Sequence, residues 1–144
     1  MKYDFVPSER SMLLTLQRAT HATLHRIATE LVDLDMTASE MNALGNLADG
    51  QSRTVSQLAA AIGARPTTLT SVLDRLEKRG LIARVARAGD RRSILIELTE
   101  PGRATAATIR RTLAELESRA VAGLSPGAIE GFYTVLDALT EEKR

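Results

Sequence analysis

The 144-residue sequence has no cysteine and only four aromatic residues. Without cysteine, the chain cannot form a disulfide, bind a metal through a thiolate or sense oxidation through a thiol. It also lacks an apolar run near the roughly 18 residues that a membrane helix needs. No charged segment followed by an apolar segment opens the chain, as a secretory signal peptide would. We therefore expect a soluble, cytoplasmic protein.

The chain has almost no overall excess of charge of one sign, because its net charge is only +1. The average hides a local excess. Residues 50–92 carry nine Lys or Arg against three Asp or Glu, whereas the other residues carry ten basic and fifteen acidic side chains. Such a basic middle is typical of a phosphate-binding module within a larger scaffold, although a solvated charged face would have the same composition. The length predicts one domain, with part of its apolar surface available to a second copy.

Leucine-rich periodicity predicts most of the chain to be helical. Apolar residues recur at spacings of three and four from Ser8 to about Asp33, which predicts one long amphipathic helix. The stretch "TASE" then predicts a capping box, in which Thr37 caps a short helix and Glu40 reaches back to the Thr37 amide. We expect Asp49-Gly50 to end that second helix.

A third short helix follows in "TVSQLAAAIG", with Thr54 and Gln57 in capping-box positions and Gly63 at its end. In "RPTTLTSVLDRLEKRG", Pro66 stands at the first helical position and Gly80 follows the end of the fourth helix. Its apolar residues share one side, which predicts that they face the core: Leu69, Val72, Leu73 and Leu76. The opposite side is small and polar near its start and basic near its end.

Two short alternating runs, "LIARVA" and "SILIEL", predict a β-hairpin joined by "RAGDRR", a loop longer than a two-residue turn. Thr99 is predicted to cap a long helix that runs to about Val121, and Ser125-Pro126 to begin a last helix. The predicted fold is thus mainly α with a small β-hairpin, in the order αααα-ββ-αα.

Two short helices joined near a glycine, the second with a polar face, form a helix-turn-helix, and a basic hairpin after them makes the unit winged. The second helix of such a unit enters the major groove of DNA, while a slender turn with arginines suits the narrow minor groove. Asp90, beside Arg91 and Arg92, is predicted to orient one guanidinium. A winged helix that binds protein instead of DNA is the alternative, which would predict loss of the arginines.

Four stretches carry a family resemblance: "TASEMNAL", "TVSQLAAAIG", "TTLTSVLDRLEKRGLIAR" and "GDRRSILIELTEPGRA". They resemble the multiple antibiotic resistance regulator (MarR) family of bacterial winged-helix transcription factors, over nearly the whole chain and most strongly over residues 37–104. The resemblance implies a homodimer that binds double-stranded DNA at a pseudo-palindromic operator, most often as a repressor. It also implies release by a small phenolic or anionic effector. Residues 37–99 would form the winged unit, and residues 1–35 and 100–144 the dimerisation helices.

The resemblance also implies which residues contact DNA. In the recognition helix and at its start they are Arg65, Thr67, Thr68, Thr70, Ser71 and Arg75. In the wing, Arg92 matches the family's arginine, with Asp90 as its partner, but Arg91 is an equal candidate for the minor groove. The small side chains on the reading face predict modest direct readout of bases and a larger share for the wing and for DNA shape.

An enzymatic function finds little support in the sequence. His21 and His25 stand four apart, as in half a zinc site, but the internal Glu of the zinc-protease motif and a third ligand are missing. We find no nucleotide-binding glycine loop and no nucleophile elbow, so we expect no catalysis, no cofactor and no metal. Arg18, His21 and His25 share a strip of the first helix that could bind an anionic effector. The simpler interpretation, that they are ordinary exposed helix residues without a ligand, is the favoured one.

Overall fold

The computed structural model describes residues 10–141, apart from the side chains of residues 90–92. The helices within this range are α1 (Met12–Glu30), α2 (Ala38–Leu47), α3 (Val55–Ile62), α4 (Pro66–Lys78), α5 (Glu100–Val121) and α6 (Pro126–Thr140). The strands are β1 (Arg53–Thr54), β2 (Ile82–Arg87) and β3 (Asp90–Leu98), and a 3-10 turn spans Val32–Leu34. The mainly α fold with a small hairpin is confirmed, and β1 and the 3-10 turn are additions to it.

Side-chain caps begin the helices largely where the sequence predicts. The Thr54 hydroxyl accepts a hydrogen bond from the Gln57 amide, and the Gln57 side chain accepts one from the Thr54 amide, so this capping box is confirmed. Ser125 caps α6, and Gly63 ends α3 with φ of 68°. The first helix begins later than predicted, because Ser11 caps it; Ser8 lies outside the described residues.

Of the two hydrogen bonds predicted for the capping box at Thr37, the one to the Thr37 hydroxyl is confirmed and the one from the Thr37 amide is wrong. The Thr37 hydroxyl accepts from the Glu40 amide at 3.2 Å, as expected of a cap. The Glu40 carboxylate, however, accepts from the Thr37 hydroxyl at 3.1 Å, and it also contacts Arg75 of α4 and Arg79, the residue after α4. These cations compete for the carboxylate, and a charged donor forms a stronger hydrogen bond than a backbone amide.

The strands form one antiparallel sheet in the order β1-β3-β2. The prediction of a long hairpin loop is wrong, because Arg87 pairs with Asp90 across the two-residue turn Ala88-Gly89. Gly89 has φ of 84°. This conformation raises the free energy of a residue that has a Cβ atom, but it has little effect on glycine. The next pair is Ala86 with Ile94, so β3 has three extra residues between the two pairs. The resulting bulge contains Arg91, Arg92 and Ser93.

The core of residues 10–112 lies among the short helices and the sheet. Its side chains are the apolar faces that the periodicity predicts, and most are almost completely buried: Met41, Leu44 and Leu47 of α2, Leu58 of α3, Leu69, Val72, Leu73 and Leu76 of α4, Ile82 and Ile96 of the sheet, and Ala106 and Ile109 of α5. The buried face of α4 therefore determines which of its residues point outward.

The chain divides into two compact units, residues 1–112 and residues 113–144. Within the second unit, the rings of Phe132 and Tyr133 pack edge to face with centroids 5.6 Å apart. Neither α1 nor α6 has a buried residue. Within residues 10–141, we find no helix that could span a membrane.

Gly102 allows α5 to begin directly against the turn between α4 and β2. The Thr99 hydroxyl accepts from the Gly102 amide at 3.1 Å and donates to the Gly80 carbonyl at 2.6 Å. A Cβ atom at Gly102 would overlap the carbonyl oxygen of Leu81, which is backbone and cannot rotate away. This contact, not the conformation of the residue, requires glycine.

We expect Gly102→Ala to lower the free energy of unfolding by about 3 kcal/mol, because overpacking against backbone is costly. Gly45→Ala is the matched control in α2, since its Cβ would meet only the Ile109 Cγ2 atom at an ordinary 3.6 Å. That change should be neutral or raise stability by up to about 1 kcal/mol through helix propensity. Urea unfolding followed by circular dichroism measures both; equal stabilities for the two variants would contradict the packing argument.

Candidate nucleic-acid interface

The outer face of α4 presents a line of small and basic side chains. A helix turns by about 100° per residue, so Thr67, Ser71 and Lys78 lie opposite the buried apolar side. All three are exposed. Thr68, Thr70 and Arg75 lie beside this line and are also exposed, as is Arg65 before the helix. The structure thus brings the predicted contacts of the recognition helix onto one accessible surface, which we call the reading face.

The hydroxyl of Thr70 is already engaged within the helix. It donates to the Pro66 carbonyl at 2.9 Å, one turn back. Its proton is therefore not available to a base, while its lone pairs and its methyl group remain. Such a side chain can accept a hydrogen bond or pack against the methyl group of thymine.

On one flank of the reading face, Arg84 connects the wing to α4. Its Nη2 atom lies 2.8 Å from Oδ1 of Asp74, and its Nη1 atom lies 3.6 Å from Oε1 of Glu77. Asp74 and Glu77 are two of the three acids in the basic segment, and Arg84 offsets part of their charge. The sequence did not reveal this role, because the partners belong to different elements and no short pattern joins them.

On the other flank, the buried carboxylate of Glu40 contacts α4. Its Oε1 atom lies 3.3 Å from Nε of Arg75, and its Oε2 atom lies 3.7 Å from Nη1 of Arg79. Arg79 also donates to the carbonyls of Leu34 and Asp35, at 2.9 and 2.8 Å. Arg75, predicted to contact DNA, is therefore paired within the protein, although half of its side chain remains exposed.

Arg53 of β1 is held by the loop that follows α2. Its Nη2 and Nη1 atoms donate to the two carboxylate oxygens of Asp49 at 2.6 and 2.9 Å, and Nη1 also donates to the Asn46 carbonyl at 2.7 Å. The hydrogen bond from Arg53, with one from the Gln51 amide, lowers the pKa of Asp49 from 3.8 to about 2, and the same pairing raises the pKa of Arg53.

A carboxylate with a lowered pKa in the fold favours the folded state when it is ionised. The contribution of Asp49 is therefore complete above a pH of about 4 and is lost as the pH falls toward about 2. The pair is open to solvent, so this contribution is small. The main consequence of the Asp49–Arg53 pair is that the Arg53 guanidinium is held by the α2–β1 loop, so Arg53 is a poor candidate for DNA contact.

Four of the nine cations in the basic segment, Arg53, Arg75, Arg79 and Arg84, are thus paired with carboxylates. Arg65 and Lys78 are exposed, and neither forms an ion pair with another described side chain. Lys78 was not among the predicted contacts, although its position on the polar side of the helix could have identified it. The side chains of Asp90, Arg91 and Arg92 lie outside the described residues.

The strip of α1 that was predicted as an effector site is accessible. Arg18, His21 and His25 are all exposed. In the part of the chain that the structure describes, no group of three or more His, Cys, Asp or Glu could hold a metal ion.

Comparison with known proteins agrees with this arrangement. A model of the MarR family matches residues 36–94. The uncharacterized HTH-type transcriptional regulator YfiV of Bacillus subtilis is 39% identical over 72 residues, which are 50% of this chain and 45% of YfiV. The chain thus matches about half the length of this relative.

Two solved structures are similar over nearly their whole length. The MepR–DNA complex of S. aureus aligns with a TM-score of 0.78 and 25% identity, over 91% of this chain and 97% of MepR. NadR, in complex with 4-hydroxyphenylacetate, aligns with a TM-score of 0.85 over 96% of this chain and 99% of NadR. NadR is only 21% identical, so that likeness shows the fold alone. Residues 36–94, which contain α2 to α4 and most of the wing, thus match the MarR family.

Proposed function

We propose that the protein is a homodimeric transcriptional repressor that binds a pseudo-palindromic operator in double-stranded DNA. The observation that carries this proposal is the reading face of α4, a small polar surface held between two salt-linked flanks and followed by a wing with two arginines. MepR, which shares the fold at 25% identity, has been solved in a complex with DNA, which supports the same kind of partner here.

In this proposal, α4 lies in the major groove and the wing reaches the adjacent minor groove. Thr67, Thr68, Thr70 and Ser71 contact base edges at short range, because none has a long side chain. Arg65 and Lys78, exposed near the start and the end of α4, contact phosphates. Arg92 or Arg91 enters the minor groove from the bulge of β3.

We expect Arg92→Ala to weaken operator binding by about 1–3 kcal/mol, because a guanidinium in the minor groove is lost. The measurement is a fluorescence titration at several salt concentrations, with duplexes from upstream of the gene and from a selection on random DNA.

Wild-type affinity should fall with a slope of several units in log K against log salt, because each phosphate contact releases counterions. Selected sites should have half-sites about one helical turn, roughly 10 bp, apart.

Arg91→Ala is the matched control, since it removes the same charge from the neighbouring position of the bulge. A larger effect at Arg91 than at Arg92 would assign the groove contact to Arg91. Asp90→Ala should weaken binding if the carboxylate orients an arginine, and tighter binding would contradict that role. A wild-type protein whose DNA binding is weak and independent of salt would favour the alternative, a winged helix that binds protein.

The exposed apolar residues of the terminal helices support the homodimer. Met12, Leu13 and Leu14 of α1 are about half exposed or more, and so are Phe132 and Tyr133 of α6. Monomeric proteins seldom leave large apolar patches in water, so α1 and α6 are each natural elements to be covered by a second copy. A two-fold operator requires the same assembly, because each half-site needs one reading face.

We expect the double variant Phe132→Asp/Leu139→Asp to be a monomer near 15.6 kDa, with wild type at twice that mass. Both side chains are exposed within one chain, so the charges should disrupt the dimer and not the helix. Thr134→Asp is the control, because Thr134 lies on the opposite side of α6. Light scattering after gel filtration gives the mass. Wild type that is monomeric at micromolar concentration would contradict the proposal.

We also propose that an anionic effector binds at the strip of Arg18, His21 and His25 and releases the DNA. Three potential cations lie on one flank of α1, at spacings of three and four, where a carboxylate could pair with them. NadR was solved with 4-hydroxyphenylacetate, a phenolic carboxylate, and this compound is a suitable probe.

We expect 4-hydroxyphenylacetate to weaken operator binding of wild type, and to have at least about tenfold less effect on His21→Ala/His25→Ala. The effect requires that the ligand prefer the dimer that does not bind DNA. Arg26→Ala is the control, because it removes an exposed cation of α1 outside the strip. The neutral amide of the same compound should be inactive. Equal responses of wild type and the histidine variant would place the effector elsewhere.

A further inference from the structure

Glu40 is a charged side chain in a place where charge is costly. It is 4% exposed, and it is the one buried polar residue among those that the structure describes. Burying a carboxylate without partners costs several kcal/mol, so its surroundings must offset the charge. Three groups do so: the Thr37 hydroxyl, Arg75 and Arg79.

The contact with Arg75 uses only one edge of the guanidinium. The Nε atom donates to Oε1 of Glu40 at 3.3 Å, and half of the Arg75 side chain is exposed. A guanidinium is planar and has five N–H donors in a rigid fork. When Nε is held by a carboxylate on the inner side, the orientation of the fork is restricted and its outer donors remain for another anion.

Arg79 forms an ion pair with the other oxygen of the Glu40 carboxylate. Its Nη1 atom lies 3.7 Å from Oε2 of Glu40, and it is itself held by the Leu34 and Asp35 carbonyls before α2. Glu40 therefore lies between Arg79, which is anchored to backbone carbonyls, and Arg75, whose side chain has no other protein partner among the described residues. Arg75 is the member of this cluster that belongs to the reading face, one turn after Ser71.

We propose that Glu40 is a positioning residue of the DNA interface, which holds Arg75 with its outer N–H donors directed at a backbone phosphate beside the reading face. The inference rests on the proposed function. A long arginine that is ordered in advance loses less side-chain freedom when it binds, and the dimer has two such arginines. Glu40 does not touch the phosphate; it acts through Arg75.

Electrostatics alone would give the opposite sign. A carboxylate near DNA repels phosphate, so Glu40→Gln, which removes a negative charge and keeps the size, would tighten binding on charge grounds. If Glu40 positions Arg75, the same change weakens binding, because an amide holds the guanidinium less strongly than a carboxylate does. The direction of the change therefore separates the two roles.

The test is a double-mutant cycle on the full-length dimer with Glu40→Gln and Arg75→Ala, in which operator affinity is measured at fixed salt. We expect Glu40→Gln to weaken binding on the order of tenfold in the wild-type background. In the Arg75→Ala background, it should change binding by less than about twofold. Glu77→Gln is the matched control: it makes the same chemical change on the other flank of α4, and its effect should be independent of Arg75.

Thermal unfolding of every variant shows whether it is folded at the temperature of the titration. If Glu40→Gln is not, Arg75→Lys replaces it, because lysine keeps the charge but lacks the fork that Glu40 holds. Arg75→Lys should then weaken binding on the order of tenfold. The inference would be overturned if Glu40→Gln binds DNA unchanged or more tightly, or if its weakening persists in the absence of Arg75. Where Arg75→Lys is the substitute, wild-type affinity of that variant would overturn it. Wild type that binds no duplex at all would instead overturn the proposed function.

Discussion

The apolar side of α4 is the constraint on which the rest of the site depends. Leu69, Val72, Leu73 and Leu76 are each at most 2% exposed. Burying such side chains stabilises a fold by about 1.5–3 kcal/mol each, so the four together contribute roughly 6–12 kcal/mol. No exposed ion pair has a comparable effect. Because these residues must face the core, the helical period alone brings the reading face to the surface.

The ion pairs beside α4 have a different role, which is to direct side chains. Arg84 with Asp74 and Glu77 is largely open to solvent, so it adds little stability. It nevertheless joins β2 to α4 and offsets two acids that would repel phosphate. Glu40 is buried, so its charge must be offset by the arginines beside it, and Glu40 in turn directs their side chains. Apolar burial thus determines how α4 is rotated, and the two flanks determine where its charges point.

Local patterns predicted the fold well, because caps and periodicity depend on neighbouring residues. The capping-box pattern nevertheless occurs twice, at Thr54 with Gln57 and at Thr37 with Glu40, and forms completely only at Thr54. At Thr37 the Glu40 carboxylate is instead held by arginines distant in sequence, Arg75 and Arg79. Strand β1 was missed for the same reason, since its two residues are a strand only through pairing with Leu95 and Ile96. The prediction of a long hairpin loop was wrong because the extra residues form a bulge within β3.

The same limit applies to the charge pattern. A surplus of cations in residues 50–92 indicated a polyanion partner, but it could not show which cations are free to reach one. Those that are paired within the protein, such as Arg53 with Asp49, add little to the field outside. The reading face itself is mostly threonine and serine, whose side chains are short and offer few hydrogen-bonding groups. Under the proposed function, recognition of DNA therefore depends strongly on a few oriented arginines and on the shape of the groove that admits them.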